Sequence, residues 1–190
     1  KNVNESGFNS GSARFVDIQG NNQNDTATKV HGDKGGSFSA FIVGHTELTN
    51  GKKDAAVVVV DKDGNLVTTV DNDGIATYDI DGDSGNGTKD SVFTDVQFEL
   101  DGDADDYDLI LSGEIIDGSN RSVFTTRMHY LDGTLDTGYG TSGVYSPSFT
   151  NNVYVNGLTL EDSDTTDRAW LSGYRTFADR SFENAMLAVV

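Results

Sequence analysis

The stretch RMHYLDGTLDTGYGTSGV, residues 127–144, combines an Asp-Gly pair, a second aspartate, an aromatic residue and further glycines in one short segment. A related stretch, VDKDGNLVTTVDNDGI at residues 60–75, places its Asp-Gly pair 69 residues earlier. In both stretches a leucine follows two residues after the Asp-Gly pair, and a glycine, Gly74 or Gly143, follows at the same distance. A phrase repeated at this spacing predicts a repeat architecture.

A second marker supports the repeat. The segments FSAFIVG, YDLILSG and RAWLSG end at Gly44, Gly113 and Gly173, which lie 69 and then 60 residues apart. A looser copy of the Asp-Gly phrase, VNESGFNSGSA, stands near the start of the chain with Gly11 in the place of Gly74. We therefore predict three repeat units, residues 1–66, 67–135 and 136–190, in one continuous repeat domain.

Each unit has room for four short strands, because apolar and polar residues alternate between turn residues. No segment carries a convincing helical period over eleven or more residues. The fold class predicted is all-β, with repeated four-stranded antiparallel sheets that resemble three β-propeller blades. The predicted strands are 12–18, 27–32, 37–48 and 54–66 in unit one, 75–80, 91–100, 107–115 and 121–131 in unit two, and 143–149, 152–160, 168–177 and 182–190 in unit three.

The segment Asp132-Gly133-Thr134-Leu135-Asp136, followed by Tyr139-Gly140 and Gly143-Val144, resembles the DGxLDxxFGxxG signature of the bacterial delta-60 repeat family. The triplets ending at Gly44, Gly113 and Gly173 resemble that family's (I/V)(V/L)xG strand. In the middle copy Val67 and Val70 stand in place of the aspartate and the aromatic residue. The resemblance implies propeller blades of secreted or surface-anchored bacterial proteins, and it implies no catalytic residues.

The Asp-Gly pairs at 63–64 and 132–133 can supply the positive-φ positions of a tight turn. We expect this turn to leave the fourth strand of one sheet, with Leu66 or Leu135 returning to the core. Gly74 or Gly143 then relieves crowding where the next unit begins. On this reading the phrase is the joint between neighbouring sheets.

Three blades are fewer than a closed propeller usually has, and an open stack leaves edge strands exposed. We therefore expect the array to be completed by further repeats of a longer chain or by other copies of the protein. Two chains would form a six-bladed ring, whereas head-to-tail contacts that do not close would form a filament.

Charge restricts the partners. The chain has 31 acidic and 13 basic residues and a net charge of −18, which disfavours nucleic acids and anionic membrane surfaces. Cysteine is absent, which excludes disulfides, thiolate catalysis and Cys-ligated zinc. No apolar run approaches the length of a membrane span, so we expect no membrane insertion.

Calcium is the predicted cofactor. In DIDGDSGNGTKD, Asp79, Asp81 and Asp83 alternate and Asp90 stands at the twelfth position, a spacing similar to that of a calcium loop. The segment differs from an EF-hand, because its sixth position is Ser84, its twelfth is not Glu and no helices flank it. A second acidic segment, DGDADDYD, offers further candidate ligands: Asp101, Asp103, Asp105, Asp106 and Asp108. The alternative is that both segments are solvated turns.

We predict that the chain is not an enzyme. It has no HExxH pair, no Gly-x-Ser-x-Gly turn and no phosphate-binding loop. Its carboxylates are so numerous that any glycosidase pair would be uninformative. Trp170 is a candidate for stacking on a sugar, although the position fits a core or inter-blade aromatic better.

Asn-x-Ser/Thr sequons mark four candidate glycosylation sites in polar loops, at Asn4, Asn24, Asn86 and Asn120. They give weak support for a location outside the cell, secreted or on the surface. Two functions stay open from the sequence. The first is a non-catalytic structural or adhesive module that associates with itself and is stabilised by calcium. The alternative is a propeller that binds carbohydrate through its rim loops.

Overall fold

The computed structural model describes residues 16–20, 23–32, 40–82, 88–100, 107–161, 168–176 and 183–189. Within these ranges the regular structure is all β, as predicted, and no helix has the length and apolarity required to cross a membrane. The strands are β1 (Asp25–Gly32), β2 (Ala40–Glu47), β3 (Lys53–Val60), β4 (Ile75–Tyr78), β5 (Asp90–Leu100), β6 (Tyr107–Asp117), β7 (Asn120–His129), β8 (Val144–Tyr145), β9 (Asn152–Glu161), β10 (Arg168–Thr176) and β11 (Glu183–Val189).

The strands form three open antiparallel sheets. Sheet 1 has the order β1-β2-β3-β4, sheet 2 has the order β5-β6-β7-β8, and sheet 3 has the order β9-β10-β11. Strands that are adjacent in sequence are adjacent in each sheet, so every sheet is a meander. The predicted four-stranded sheets are thus present twice, and sheet 3 has three strands within the part of the chain that the structure describes.

Every predicted strand from residue 27 onward overlaps an observed strand. The first predicted strand, 12–18, differs. Its residues 12–15 lie outside the described residues, and Val16, Asp17 and Ile18 are not in a strand. Val16 and Ile18 instead lie against sheet 1 beside Ile42 and Val58.

The expected position of the Asp-Gly turn is wrong. The turn at Asp63-Gly64 follows the third strand of sheet 1, Leu66 makes an antiparallel bridge to Val60, and β4 then pairs back onto β3. In sheet 2, Leu135 bridges to Met128 and β8 pairs back onto β7. The segments 61–74 and 130–143 fold back as wide hairpins. As a result β4 pairs with the free edge of β3, and β8 pairs with the free edge of β7.

Sheets 1 and 2 therefore each end one strand later than the repeat unit read from the sequence. The unit boundaries after residues 66 and 135 fall within the connections between the third and fourth strands. β4 and β8 belong to units two and three by sequence, yet they hydrogen-bond to the preceding sheet. Backbone hydrogen bonds thereby link neighbouring repeat units.

Sheet 2 lies between the other two sheets and is buried on both faces. Sheet 1 contributes to the core between sheets 1 and 2 through Phe41, Val43, Ala55, Val57, Val59, Val70 and Ala76. Sheet 2 contributes to that core through Phe93, Val96, Leu109, Leu111, Phe124, Met128 and Tyr130. The second core, between sheets 2 and 3, comprises Ile110, Val123, Val153, Val155, Leu158, Ala169 and Leu171.

Candidate functional site: the two end faces of the stack

The predicted calcium loop is described in part. The Asp79 carboxylate accepts a hydrogen bond from the Gly82 N–H at 3.1 Å, and Asp81 accepts one from a β5 hydroxyl at 3.4 Å. Asp90 lies 3.9 Å from the Lys52 ammonium. Within the described residues no group of three or more His, Cys, Asp or Glu side chains could hold a metal ion, so calcium binding stays a prediction. Four predicted ligands lie outside the described residues: Asp83, Asp101, Asp103 and Asp105.

The remaining candidates are dispersed. Asp108, at the end of the second acidic segment, lies 3.1 Å from Nδ1 of His129. The sequon residue Asn24 donates to the Glu47 carboxylate at 2.8 Å, and Asn120 is exposed where β7 begins. Three candidates lie outside the described residues: Asn4, Asn86 and Asp106.

Sequence reasoning missed the buried carboxylates of sheet 2. The Asp95 carboxylate lies 3.2 Å from the Lys29 ammonium of sheet 1 and accepts the Leu158 N–H of sheet 3 at 2.9 Å. Glu114 accepts the Val155 N–H of sheet 3 at 2.9 Å and pairs with an arginine of its own sheet. These two side chains therefore hold sheets together. Acidic residues are so numerous in the sequence that nothing in it distinguished these two from the others.

The glycines that mark the three repeats share one structural role. Gly44, Gly113 and Gly173 each lie opposite a β-bulge on the neighbouring strand, where the strand register shifts by one residue. A Cβ atom there would overlap the carbonyl oxygen of Thr26, Val92 or Tyr154 respectively. The marker is therefore structural, and it gives the three sheets a common reference point for comparing positions.

Relative to this glycine, equivalent positions face the same way in all three sheets. We call the forward face of a sheet the one that carries the residue three positions before the glycine, namely Phe41, Ile110 or Trp170. Phe41 packs against sheet 2 and is 0% exposed, and Ile110 packs against sheet 3 and is 2% exposed. Trp170 alternates with the buried Ala169 and Leu171 of β10, so it lies on the face of sheet 3 that points away from sheet 2.

The forward face of sheet 3 is aromatic and polar. Trp170 is half-buried and its indole N–H donates to Glu161 at 3.1 Å. Ser172 is exposed beside it. Further along β10, the rings of Tyr154 and Tyr174 stack with their centroids 4.5 Å apart. This face ends the stack at one side.

At the other side the stack ends in the rear face of sheet 1. We call the rear face of a sheet the one that carries the residue two positions before the marker glycine. That residue is Ile42, equivalent to Leu111 and Leu171, which are both 0% exposed against a preceding sheet. The rear face contains a half-open, mostly apolar cavity of about 230 Å³. The cavity is lined by Ile42, Gly44, Ala27, Ala56 and Val58, with Val16, Ile18, Asp25, Thr26, Val43 and His45 around them.

The residues around the cavity include two buried polar atoms that have no hydrogen-bond partner within the described residues: Oδ1 of Asp25 and Nδ1 of His45. Burial lowers the pKa of His45, and the nearby Lys53 lowers it further. The imidazole is therefore held towards its neutral form, in which Nδ1 can accept or donate one hydrogen bond according to the tautomer. His45 alternates with Gly44 along β2, so its ring lies on the forward face of sheet 1 and not on the rear face that carries the cavity.

Comparison of the chain with protein-family models, with curated proteins and with solved structures finds no match.

Proposed function

We propose that this protein is a non-catalytic extracellular structural module, a surface-layer or fibre-type β-repeat that associates with itself and is stabilised by calcium. In this proposal the three sheets are blades of a propeller-type array, either open or completed by other copies. The observation that carries it is the repeated packing of one sheet's forward face on the next sheet's rear face. Within the described residues no further sheet packs on the forward face of sheet 3 or on the rear face of sheet 1.

The burial of charged groups supports a structural role. Arg127 of β7 lies 2.9 Å from Glu99 of β5 and 3.4 Å from Asp136 of the following connection. Burial lowers the pKa of Arg127, but its carboxylate neighbours raise it by more, so the guanidinium stays charged. The carboxylates of Asp95 and Glu114 are used in the same way, to hold strands and sheets together.

Sedimentation and small-angle X-ray scattering at micromolar concentration, with and without a calcium chelator, test the proposal. We expect the mass to rise with protein concentration and the melting temperature to fall on chelation, because an ion bound only by the folded state stabilises it. The variant Asp79→Asn/Asp81→Asn should lose the chelator response, whereas the exposed control Asp117→Asn should keep it. A compact monomer that is indifferent to chelation would contradict both parts.

A second candidate function is carbohydrate binding, which the half-exposed indole of Trp170 favours. Flat aromatic rings stack on the apolar faces of sugars, and Ser172 offers a hydroxyl beside this ring. A glycan array probed with the wild type and with Trp170→Ala tests this function. Retention of a glycan class by the wild type alone would favour carbohydrate binding, and equal retention by both proteins would argue against Trp170 as the contact.

A further inference from the structure

We propose that the cavity in the rear face of sheet 1 binds a small primary alkylammonium ion, with the alkyl chain inside the cavity and the ammonium group at Asp25. This inference goes beyond the proposed function and does not depend on self-association or on calcium. Trp170 and His45 take no part in it, because both lie on forward faces.

Three small residues form the floor of the cavity. Ala27 of β1 and Ala56 of β3 are the register partners of Gly44 on either side of β2, so three neighbouring strands carry no side chain larger than a methyl group there. Ala56 is 1% exposed, whereas Ala27 is exposed on the edge strand. The cavity is therefore closed towards β3 and more open towards β1.

The walls around this floor are apolar. Ile42 and Val58 are register partners in the next row of the sheet and line one end of the cavity. Val16 and Ile18 lie on the same face and complete the lining. Because these two residues already cover part of the face, the remaining space suits a small molecule rather than another sheet. Its volume of about 230 Å³ has room for several water molecules, and hence for a chain of a few carbon atoms.

The other end of the cavity is polar and acidic. Asp25 lines the cavity and pairs in register with Thr46 of β2, so both side chains belong to this face. Oδ2 of Asp25 accepts the Ile18 N–H at 2.9 Å. Oδ1 of Asp25 and the Thr46 hydroxyl oxygen are buried and have no hydrogen-bond partner within the described residues. Asp54, the β3 partner of Thr46, adds a second carboxylate to this row.

These groups favour a cation that has several hydrogen-bond donors. A buried carboxylate oxygen without a partner is costly, and a positively charged donor offsets that cost best. A primary ammonium has three donors and no acceptor. Since side chains directly opposite in an antiparallel pair lie about 5 Å apart, one ammonium can bond to both Asp25 and Thr46 while its alkyl chain contacts Ile42 and Ala56. The net charge of −18 also favours a cationic ligand over an anionic one.

The experiment uses the full chain with n-butylammonium chloride as the probe. Calorimetric titration measures its affinity, and amide chemical-shift changes locate it on the protein. Two further probes are compared at matched ionic strength: n-butanol has the same chain without the charge, and butyrate carries a negative charge. This comparison on the wild type requires no variant.

Three variants test the residues of the site. Asp25→Asn removes the charge and keeps an acceptor for the Ile18 N–H. Ala27→Leu fills the open side of the cavity from an exposed edge position, where a larger side chain disturbs the fold least. Asp117→Asn is the control, because it removes the charge of an exposed aspartate in the β6–β7 turn. Circular dichroism establishes that each variant is folded.

We expect the wild type and Asp117→Asn to bind n-butylammonium with a Kd on the order of 1 mM and with shifts at the Gly44 and Ile18 amides. Binding of n-butanol should be about tenfold weaker or more, and Asp25→Asn should lose about tenfold in affinity for n-butylammonium. Ala27→Leu should bind neither probe.

Four results would each overturn the site: no binding of n-butylammonium to the wild type, equal affinity for n-butanol or butyrate, unchanged affinity in Asp25→Asn, or unchanged affinity in Ala27→Leu. None of these results concerns the mass of the protein or its response to a chelator. The proposed function is therefore tested separately, and either proposal can fail without the other.

Discussion

At the scale of single residues, a glycine opposite a bulge is the most informative feature of this chain. Gly44, Gly113 and Gly173 admit the carbonyl of a bulged strand where a side chain would collide with it. In sheets 1 and 2 the extra residue of the bulge is a threonine, and its hydroxyl donates to a backbone carbonyl. These bonds join Thr28 to Val43 at 3.0 Å and Thr94 to Ser112 at 3.1 Å.

Gly113→Ala should destabilise the protein by roughly 1–3 kcal/mol, because the added methyl group would overlap the Val92 carbonyl and the Phe124 ring. The matched control is Gly157→Ala, also on a strand, where the nearest atom is the rotatable Ser172 hydroxyl at 3.2 Å. Urea unfolding of both variants measures the difference. Equal stability of the two variants would contradict the role given to the marker glycine.

His45 should make stability depend on pH. Its pKa is lowered in the fold by burial and then by Lys53, while three carboxylates act in the opposite sense, those of Asp90, Asp25 and Glu47. The unfolded state therefore binds the proton more tightly, and stability falls as pH decreases through the unfolded pKa of about 6.5.

Unfolding free energies measured between pH 7.5 and pH 5.5 test this. We expect His45→Gln to lose the part of the pH dependence that the wild type shows in this window, whereas His129→Gln, at an exposed histidine, should keep it. An unchanged pH profile in His45→Gln would contradict the assignment.

At the scale of elements, the two repeated connections show one geometry made with two chemistries. In sheet 2, Asp136 approaches Arg127 and the Tyr139 hydroxyl lies 2.7 Å from that of Thr125. The register places four valines at the corresponding positions of sheet 1: Val67, Val59, Val70 and Val57. All four positions differ together between the two sheets. Apolar contacts in sheet 1 therefore replace the polar contacts of sheet 2, which explains why the middle copy of the phrase lacks the aspartate and the aromatic residue.

The bulge of β9 joins sheet 3 to sheet 2. The Leu158 and Val155 N–H groups, on either side of the bulge, donate to Asp95 and Glu114 of sheet 2. Asp95 also pairs with Lys29 of sheet 1, so one buried carboxylate contacts all three sheets. Such a group is costly to remove, because it leaves buried donors without acceptors.

Asp95→Ala should cost about 3 kcal/mol of unfolding free energy. It should also accelerate hydrogen exchange at the Leu158 amide, which loses its acceptor. Asp117→Ala, at an exposed aspartate, should stay within about 0.5 kcal/mol of the wild type. A protected Leu158 amide in the Asp95→Ala variant would show that this carboxylate does not hold sheet 3 in place.

The strands themselves could be predicted from the sequence, but their distribution among sheets could not. Alternation located β7, for example, whose Phe124 and Met128 lie with Tyr130 in one core, because the side-chain period of a strand is local. Alternation contains no information on which edge a later strand pairs with. β4 was therefore assigned to the wrong sheet. The cavity was missed for the same reason, since Ala27 and Ala56 are seen to flank Gly44 only once the register is known.

At the scale of the whole molecule, charge opposes the compact fold. The net charge of −18 is spread over a stack of three sheets, and like charges at the surface repel one another. The pairs that bind the sheets together, such as Lys29–Asp95, involve carboxylates that are almost fully buried, and salt screens such pairs less than surface charges.

Added salt should therefore raise the melting temperature. Between 0.01 M and 1 M NaCl the screening length falls from roughly 30 Å to roughly 3 Å, which removes most of the surface repulsion. Calorimetry with a calcium chelator present throughout measures this effect separately from calcium binding. A melting temperature that falls with salt would show that surface ion pairs, rather than repulsion, dominate the electrostatics.

The sequence by itself determined the all-β class, the repeat spacing and nearly every described strand, because turn residues and side-chain alternation act over a few neighbouring residues. Only the tertiary structure decided that the Asp-Gly phrase folds back within a sheet and that Asp95 and Glu114 join sheets. It alone revealed the cavity at one end of the stack and Trp170 at the other. These features depend on pairing between residues far apart in the chain, and such pairing is set by hydrogen-bond register and packing.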